Sequence, residues 1–213
     1  VKTIYLVRHG QTLLNHFNKM QGWIDSPLTQ KGQQQALATG QRLADVTFDY
    51  AASSDLGRAM QTLELIRQEA MPMGPASEQL SDLREAYFGS FEGLNSTHTW
   101  NMISRPLGYQ RQADLVAEFG ILKIRDFMKD TDPFHEAEAG QEVADRIHAA
   151  LSYLATQLED GQNGLVVSHG TYIRTLATLL TPDQPLLKQP ENGSITTIDV
   201  TDVKKPRIIK YNQ

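Results

Sequence analysis

The chain has 213 residues, 40% of them hydrophobic and 21% charged, with a net charge of −5 at pH 7 and no cysteine. That length fits one large domain or two small ones, is enough for a substantial core, and comes with a composition that argues against disorder. The acidic balance, with no basic stripe, speaks against nucleic-acid binding through phosphates, and the missing cysteines exclude disulfide frameworks, Cys-rich zinc sites, iron–sulfur clusters and thiolate nucleophiles.

Residues 3–8 (TIYLVR) are a β-branched and aromatic run ended by His9-Gly10, which predicts a buried strand. Thr29 predicts the N-cap of an amphipathic helix over 29–45, where Ala36, Leu37, Gly40, Leu43 and Ala44 recur at helical spacing. A second strand is predicted over 48–53 and a second helix over 56–70, broken by Pro72, Gly74 and Pro75. Residues 94–139 have no clear strand, are rich in helix formers and carry the breakers Arg105-Pro106 and Asp132-Pro133, so they read as a helical insertion over one edge of a sheet.

The clearest helix spans 141–159, where Val143, Ile147, Leu151, Leu154 and Leu158 mark one face. Residues 165–168 (LVVS) predict a strand running into His169-Gly170, followed by a helix over 171–180 and closing strands over 194–200 and 207–211. Strands alternating with helices imply βαβ units, and hence an α/β three-layer sandwich with a mostly parallel central sheet and helices on both faces. No linker or low-complexity tract is visible, so a single domain over 1–213 is expected. No apolar stretch approaches the ~20 residues that span a bilayer, and no charged segment precedes an apolar one as in a signal peptide. A cytoplasmic protein without a membrane partner is therefore expected. The two closing strands either finish the sheet or offer an edge for a homodimer.

The chemistry centres on an internal echo. IYLVRHG at 4–10 and LVVSHG at 165–170 are each an apolar strand, a polar residue, His-Gly and a helix. In an open parallel sheet ligands bind outside the carboxyl ends of the strands, so two such units place His9 and His169 at one edge. Their glycines let backbone approach a ligand, and a following helix N-terminus favours an anion. Arg8 adjoins His9, and Arg58 follows a strand in SSDLGRAMQT (53–62). Two guanidiniums and two imidazoles suit a phosphoryl group, whose oxygens guanidinium planes grip bidentately. Glu85, in LREAYFGSFEG (83–93), supplies the acid such a site needs. Taken singly these residues have plainer readings: a loop after a strand, a solvated helix arginine, a salt-bridge partner of Arg84. A His–His–Glu metal site uses the same atoms, and the flanking arginines, which repel a cation, count against it.

Arg8-His9-Gly10-Gln11-Thr12 with Asn15 resembles the Arg-His-Gly signature of the histidine phosphatase superfamily, the phosphoglycerate mutase-like proteins. The agreement continues in order through Gln21-Gly22, Asp25, Pro27-Leu28-Thr29, Ser53-Ser54-Asp55-Leu56, Arg58-Ala59, Leu83-Arg84-Glu85, Phe88-Gly89, Glu92-Gly93, Val167-Ser168-His169-Gly170 and Asn192-Gly193-Ser194. The resemblance implies His9 as a nucleophile that forms a phosphohistidine, with Arg8, Arg58 and His169 holding the phosphoryl oxygens. It implies Glu85 as the group that protonates the leaving oxygen and then deprotonates water. It also implies a substrate pocket lined by Asn15 and by the backbone near Gln21-Gly22 and Gly170-Thr171, with no metal and no cofactor. His9 then needs its attacking nitrogen unprotonated, with a backbone acceptor holding the other; His169 is more useful protonated, once a dianion is bound.

Departures from the family's mutases separate two activities. Mutases of the family usually follow the acidic residue with Arg and place Tyr three residues after it, where this chain has Ala86 and Phe88. They also carry adjacent arginines in the insertion, whereas here Arg105, Arg111 and Arg125 stand apart. A metal-independent phosphatase acting on a small-molecule phosphate ester is therefore expected, with a mutase or a non-catalytic phosphate-binding module as the alternatives. Trp100, Met102, Ile103, Tyr109 and Phe119 either make the insertion an apolar lid for a substrate of low charge or simply pack it onto the sheet. Gly140-Gln141-Glu142, where relatives often have Gly-Glu-Ser, leaves the capping of the long helix open.

Overall fold

In the computed structural model, which describes residues 1–184 and 187–213, the side chains of the central strands alternate between two cores. The sheet contains β1 (Thr3–Arg8), β2 (Tyr50–Ser53), β3 (Ser77–Gln79), β4 (Asn163–Ser168), β5 (Ile195–Asp199) and β6 (Arg207–Lys210), in the order β3-β2-β4-β1-β5-β6. The first four strands run parallel, and β5 and β6 are added antiparallel. Helices α1 (Leu13–His16), α2 (Gln30–Arg42), α3 (Gly57–Ala70), α4 (Ser96–Ser104), α5 (Gln112–Phe119), α6 (Lys123–Thr131), α7 (Gly140–Thr156) and α8 (Gly170–Leu180) complete the chain.

On one face Val7, Ala51, Leu165 and Val167 pack against Ala36 of α2 and Ala59, Leu63 and Ile66 of α3. On the other, Ile4, Leu6, Ala52 and Val166 meet Val143, Ile147 and Leu151 of α7 and Ile173 and Leu176 of α8. The result is the three-layer α/β sandwich with a mostly parallel sheet. Trp100, Ile103, Leu115, Ile124 and Met128 of the insertion belong to the same apolar cluster as α7 and α8, so α4–α6 are anchored on that core. Among the described residues no helix is long and apolar enough to cross a membrane.

Two features escape the hydrophobic pattern. β3 is the polar triplet Ser-Glu-Gln at the sheet edge, held by backbone pairing to β2, so neither apolar alternation nor a β-branched run announces it. The N-terminus of α7 has no capping side chain at Ala139; the Glu142 carboxylate accepts from the Ala139 N–H (2.7 Å), and Asp126 of α6 accepts from the Gly140 N–H (3.0 Å). The long helix is thus capped from its own third residue and from the insertion.

Candidate active site

Register brings the two His-Gly units together. Arg8 pairs with Ser168 across β1 and β4, so His9 and His169 leave adjacent parallel strands at the same end, their rings 5.1 Å apart. Gly10 is required at this turn: a Cβ there would run into the backbone of Gly32 in α2. The Nδ1 of His9 lies 2.7 Å from the Gly10 carbonyl, an acceptor that fixes the proton on Nδ1 and leaves the lone pair on Nε2. Burial, reinforced by Arg58 and Arg8, holds the His9 pKa well below the usual histidine value, so the ring is neutral. His169 is held down by burial first and then by Arg58, His9 and Arg8. Its Nε2 is 2.6 Å from the Ser54 hydroxyl, and its Nδ1 is buried with no partner.

Arg58 occupies the first turn of α3 and is held in a cage of acceptors. It donates to the Gly22 carbonyl (2.6 Å), the Ile24 carbonyl (3.0 Å) and Asp25 (2.9 Å), and its Nε lies 3.3 Å from His9 Nε2. Glu92 fixes the loop that supplies those carbonyls, accepting from the Gly22 (2.9 Å) and Trp23 (2.8 Å) N–H groups. Burial raises the Glu92 pKa, and the backbone donors around it work in the opposite direction. Arg8, half-buried, donates to the Pro190 carbonyl and keeps its Nε unpartnered. Gly170 makes room for it, because a Cβ at that position would lie 2.9 Å from Arg8 Nε.

Glu85 makes no ion pair. Its carboxylate accepts from the Thr171 (2.9 Å) and Tyr172 (2.8 Å) N–H groups at the start of α8, and from the Ala86 N–H (2.9 Å). That placement uses the helix's unsatisfied donors and its positive end to hold the carboxylate. Arg84 turns away to a two-bond pair with Asp55 (2.7 and 2.6 Å). Arg146 of α7 braces the segment from behind, donating to the carbonyls of Asp82 (3.0 Å), Arg84 (2.9 Å) and Glu85 (3.2 Å) while Glu138 accepts from it twice.

Arg8 and Glu85 open into a cleft of about 380 Å³ that is also lined by Asn15, Lys19, Gln21, Phe88, Trp100, Arg125, Thr171, Arg174 and Asn192. The apolar-lid expectation is corrected here. Of its five residues only Trp100 lines the cleft; Ile103 is buried in the core, while Met102 and Phe119 are exposed. The insertion instead sends in the buried guanidinium of Arg125, because the inward face of α6 carries Ile124, Arg125 and Met128.

The sequence profile of the histidine phosphatase superfamily (branch 1) matches residues 4–119 and 111–213. The chain belongs to this superfamily. It is 35% identical over 179 residues, 83% of this chain and 74% of the relative, to a Salmonella choleraesuis protein named "Probable phosphoglycerate mutase GpmB". A solved phosphoglycerate mutase from Bacillus anthracis superposes with a TM-score of 0.85 at 35% identity, covering 92% of this chain and 86% of that one. The mycobacterial glucosyl-3-phosphoglycerate phosphatase, at 24% identity, TM-score 0.75 and coverage of 99% and 98%, shares the fold.

His9, His169 and Arg58 come together at the carboxyl end of β1 and β4, and Arg8 and Glu85 line the cleft beside them. Asn15, Gln21 and Thr171 line the cleft beside them. The Gln21 side chain is engaged, donating to Thr12 (2.8 Å) and accepting from Ser26 (2.6 Å). Gly22 serves Arg58 through its carbonyl, and its N–H is taken by Glu92. Thr171 spends its N–H on Glu85, and Gly170 packs under Arg8. Sequence reasoning gave no role to Ser54, to Asp25 behind Arg58, to Arg146, or to Arg125 and Arg174. For Arg125 a signal existed: it is a cation between apolar residues on the buried face of its helix, whereas the half-buried Arg174 offered none.

Proposed function

We propose that this chain is a phosphomonoester hydrolase acting through a phosphohistidine on His9. The observation that carries the reading is the tautomer lock: Nδ1 sits on the Gly10 carbonyl (2.7 Å), which leaves the Nε2 lone pair, 3.3 Å from Arg58 Nε, as the attacking atom. In the first step the Nε2 lone pair attacks phosphorus, the ester P–O bond breaks, and the leaving oxygen takes the proton of the Glu85 carboxyl. In the second, water attacks phosphorus, Glu85 takes back a proton, the P–N bond breaks, and phosphate leaves. Arg8 and Arg58 neutralise the equatorial oxygens throughout, and the orphan Nδ1 of His169 is a donor waiting for one of them. Ala86, immediately after the acid, is fully buried in the core, so a longer side chain has no room there.

Mutase activity is the second reading. It is favoured by Arg125 and Arg174 in the cleft, cations that retain a doubly charged intermediate, and by the names of the relatives just described. Phosphate release from p-nitrophenyl phosphate and a panel of cellular phosphomonoesters, in excess EDTA, tests the hydrolase. Metal-independent turnover abolished by His9→Ala supports it. Production of 2-phosphoglycerate from 3-phosphoglycerate with catalytic bisphosphoglycerate, and no phosphate release, replaces it with the mutase.

A further inference from the structure

His9 and His169 meet edge to face at the carboxyl end of the sheet, and each has one ring nitrogen tied to the protein. The ties are of different kinds. His9 Nδ1 meets a carbonyl, which only accepts, so that nitrogen carries the proton. His169 Nε2 meets the Ser54 hydroxyl at 2.6 Å, a group able to donate or accept. The surroundings of Ser54 decide between the two.

Ser54 is completely buried in the turn between β2 and α3. Its Oγ accepts a long bond from the Leu56 N–H (3.4 Å), and His169 Nε2 is the one acceptor its hydroxyl proton meets among the described residues. A buried hydroxyl proton without an acceptor is left with the full desolvation penalty, so Ser54 donates to Nε2. Nε2 then holds the lone pair and the His169 proton sits on Nδ1, which is itself buried and unpartnered. The ring is pressed by Arg58 from α3, by His9 and Arg8 from the end of β1, and by Arg146 from α7. The carboxylate at the start of α8, Glu85, is engaged by the Thr171 and Tyr172 N–H groups. Burial first, and then those neighbours, keep the ring neutral. An imidazolium would also turn Ser54 into an acceptor and strand its hydroxyl proton.

We propose that Ser54 is the positioning residue of His169: its hydroxyl sets the neutral tautomer with the proton on Nδ1, so that His169 offers the phosphoryl group a hydrogen bond as a neutral ring rather than as an imidazolium. The inference rests on the phosphoryl-transfer reading above for what that donor meets. The two histidines share one tautomer and do opposite work. The protein occupies Nδ1 of His9 and leaves a lone pair, and it occupies Nε2 of His169 and leaves a proton. A proton taken up with a phosphate dianion goes instead to Glu85, which the first step needs protonated.

Long-range ¹H–¹⁵N spectra of the labelled free enzyme near neutral pH read the tautomer directly, with His169→Gln to assign the signals. The expected result is a protonated Nδ1 and an unprotonated Nε2 on His169. In Ser54→Ala the lock is gone, the Nε2–H tautomer gains population, and inorganic phosphate binds about 10-fold more weakly by calorimetry. Ser54→Thr keeps the hydroxyl, and with it the wild-type tautomer and most of the affinity. A merely structural Ser54 lowers stability when replaced by Ala and leaves the tautomer as in the wild type, which overturns the proposal. So does a wild-type ring protonated on Nε2, whether alone or on both nitrogens. Should Ser54→Ala fail to fold, the wild-type spectra decide by themselves. None of these readouts needs turnover, so a chain that hydrolyses no ester fails the hydrolase reading and leaves the tautomer test standing.

Discussion

At the phosphoryl end of the cleft, His9, Arg58 and Glu85 are each fixed by backbone groups: the Gly10 carbonyl, the Gly22 and Ile24 carbonyls, and the Thr171 and Tyr172 N–H groups. At the insertion end, Arg125 rests on aromatic faces and Arg174 holds a single carbonyl. The difference separates two tasks. Groups that act on a transition state must be held in place before substrate arrives, and backbone bonds do that without side-chain freedom to lose. At the insertion end Arg125, with no partner on its Nε, keeps hydrogen-bonding capacity in reserve.

The largest effect breaks the first end outright. His9→Asn lowers kcat by about 10⁴-fold or more, because it removes the imidazole Nε2 held beside Arg58. Rapid acid- and base-quench assays with ³²P-labelled ester check this by the loss of the labelled phosphohistidine. Glu85→Gln comes next, with about 10²–10³-fold lost on alkyl phosphates and far less on p-nitrophenyl phosphate, whose leaving group needs little protonation. Equal losses on both esters would assign Glu85 to structure instead. Asp25→Asn removes the charge behind Arg58 and costs about 10-fold in kcat/KM through a guanidinium less firmly aimed. Steady-state kinetics on the phosphomonoester panel measures it.

The smallest effect is on stability, and its sign follows from the buried imidazoles. The pKa values of His9 and His169 are depressed in the folded protein, chiefly by burial, while unfolded histidines titrate near about 6.5. Below that pH the unfolded chain binds more protons, so stability is complete above it and falls as the pH drops through it. The slope reaches at most about 2.7 kcal/mol per pH unit while both groups contribute. Urea unfolding at pH 7.5 and 5.5 tests it. His169→Gln halves the slope, and stability unchanged by acid contradicts the neutral assignment. Inorganic phosphate binds with proton uptake near neutral pH, read as a buffer-dependent calorimetric heat.

The same contrast explains what was legible in the sequence. His9 and His169 follow apolar strands and precede glycines and helices, so local pattern and the carboxyl-edge rule together locate them. Arg58 and Glu85 needed the resemblance as well, since a helix arginine and a loop glutamate carry no positional signal alone. The insertion was legible as helical, but its chemistry was not. Which face of α6 turns inward depends on its packing against α7 and on the Asp126 cap, contacts that no local periodicity encodes. β3 was missed for a related reason, since its place is set by pairing with β2 and not by its own side chains.

Helix α8 begins with His169 at its N-cap and carries Arg174 five residues on. At roughly 1.5 Å of rise per residue, the two lie about 7.5 Å apart along its axis. The Glu85 carboxylate clamps the start of the same helix, so neither end slides relative to the other. α8 therefore acts as a ruler that fixes the spacing between His169 and Arg174.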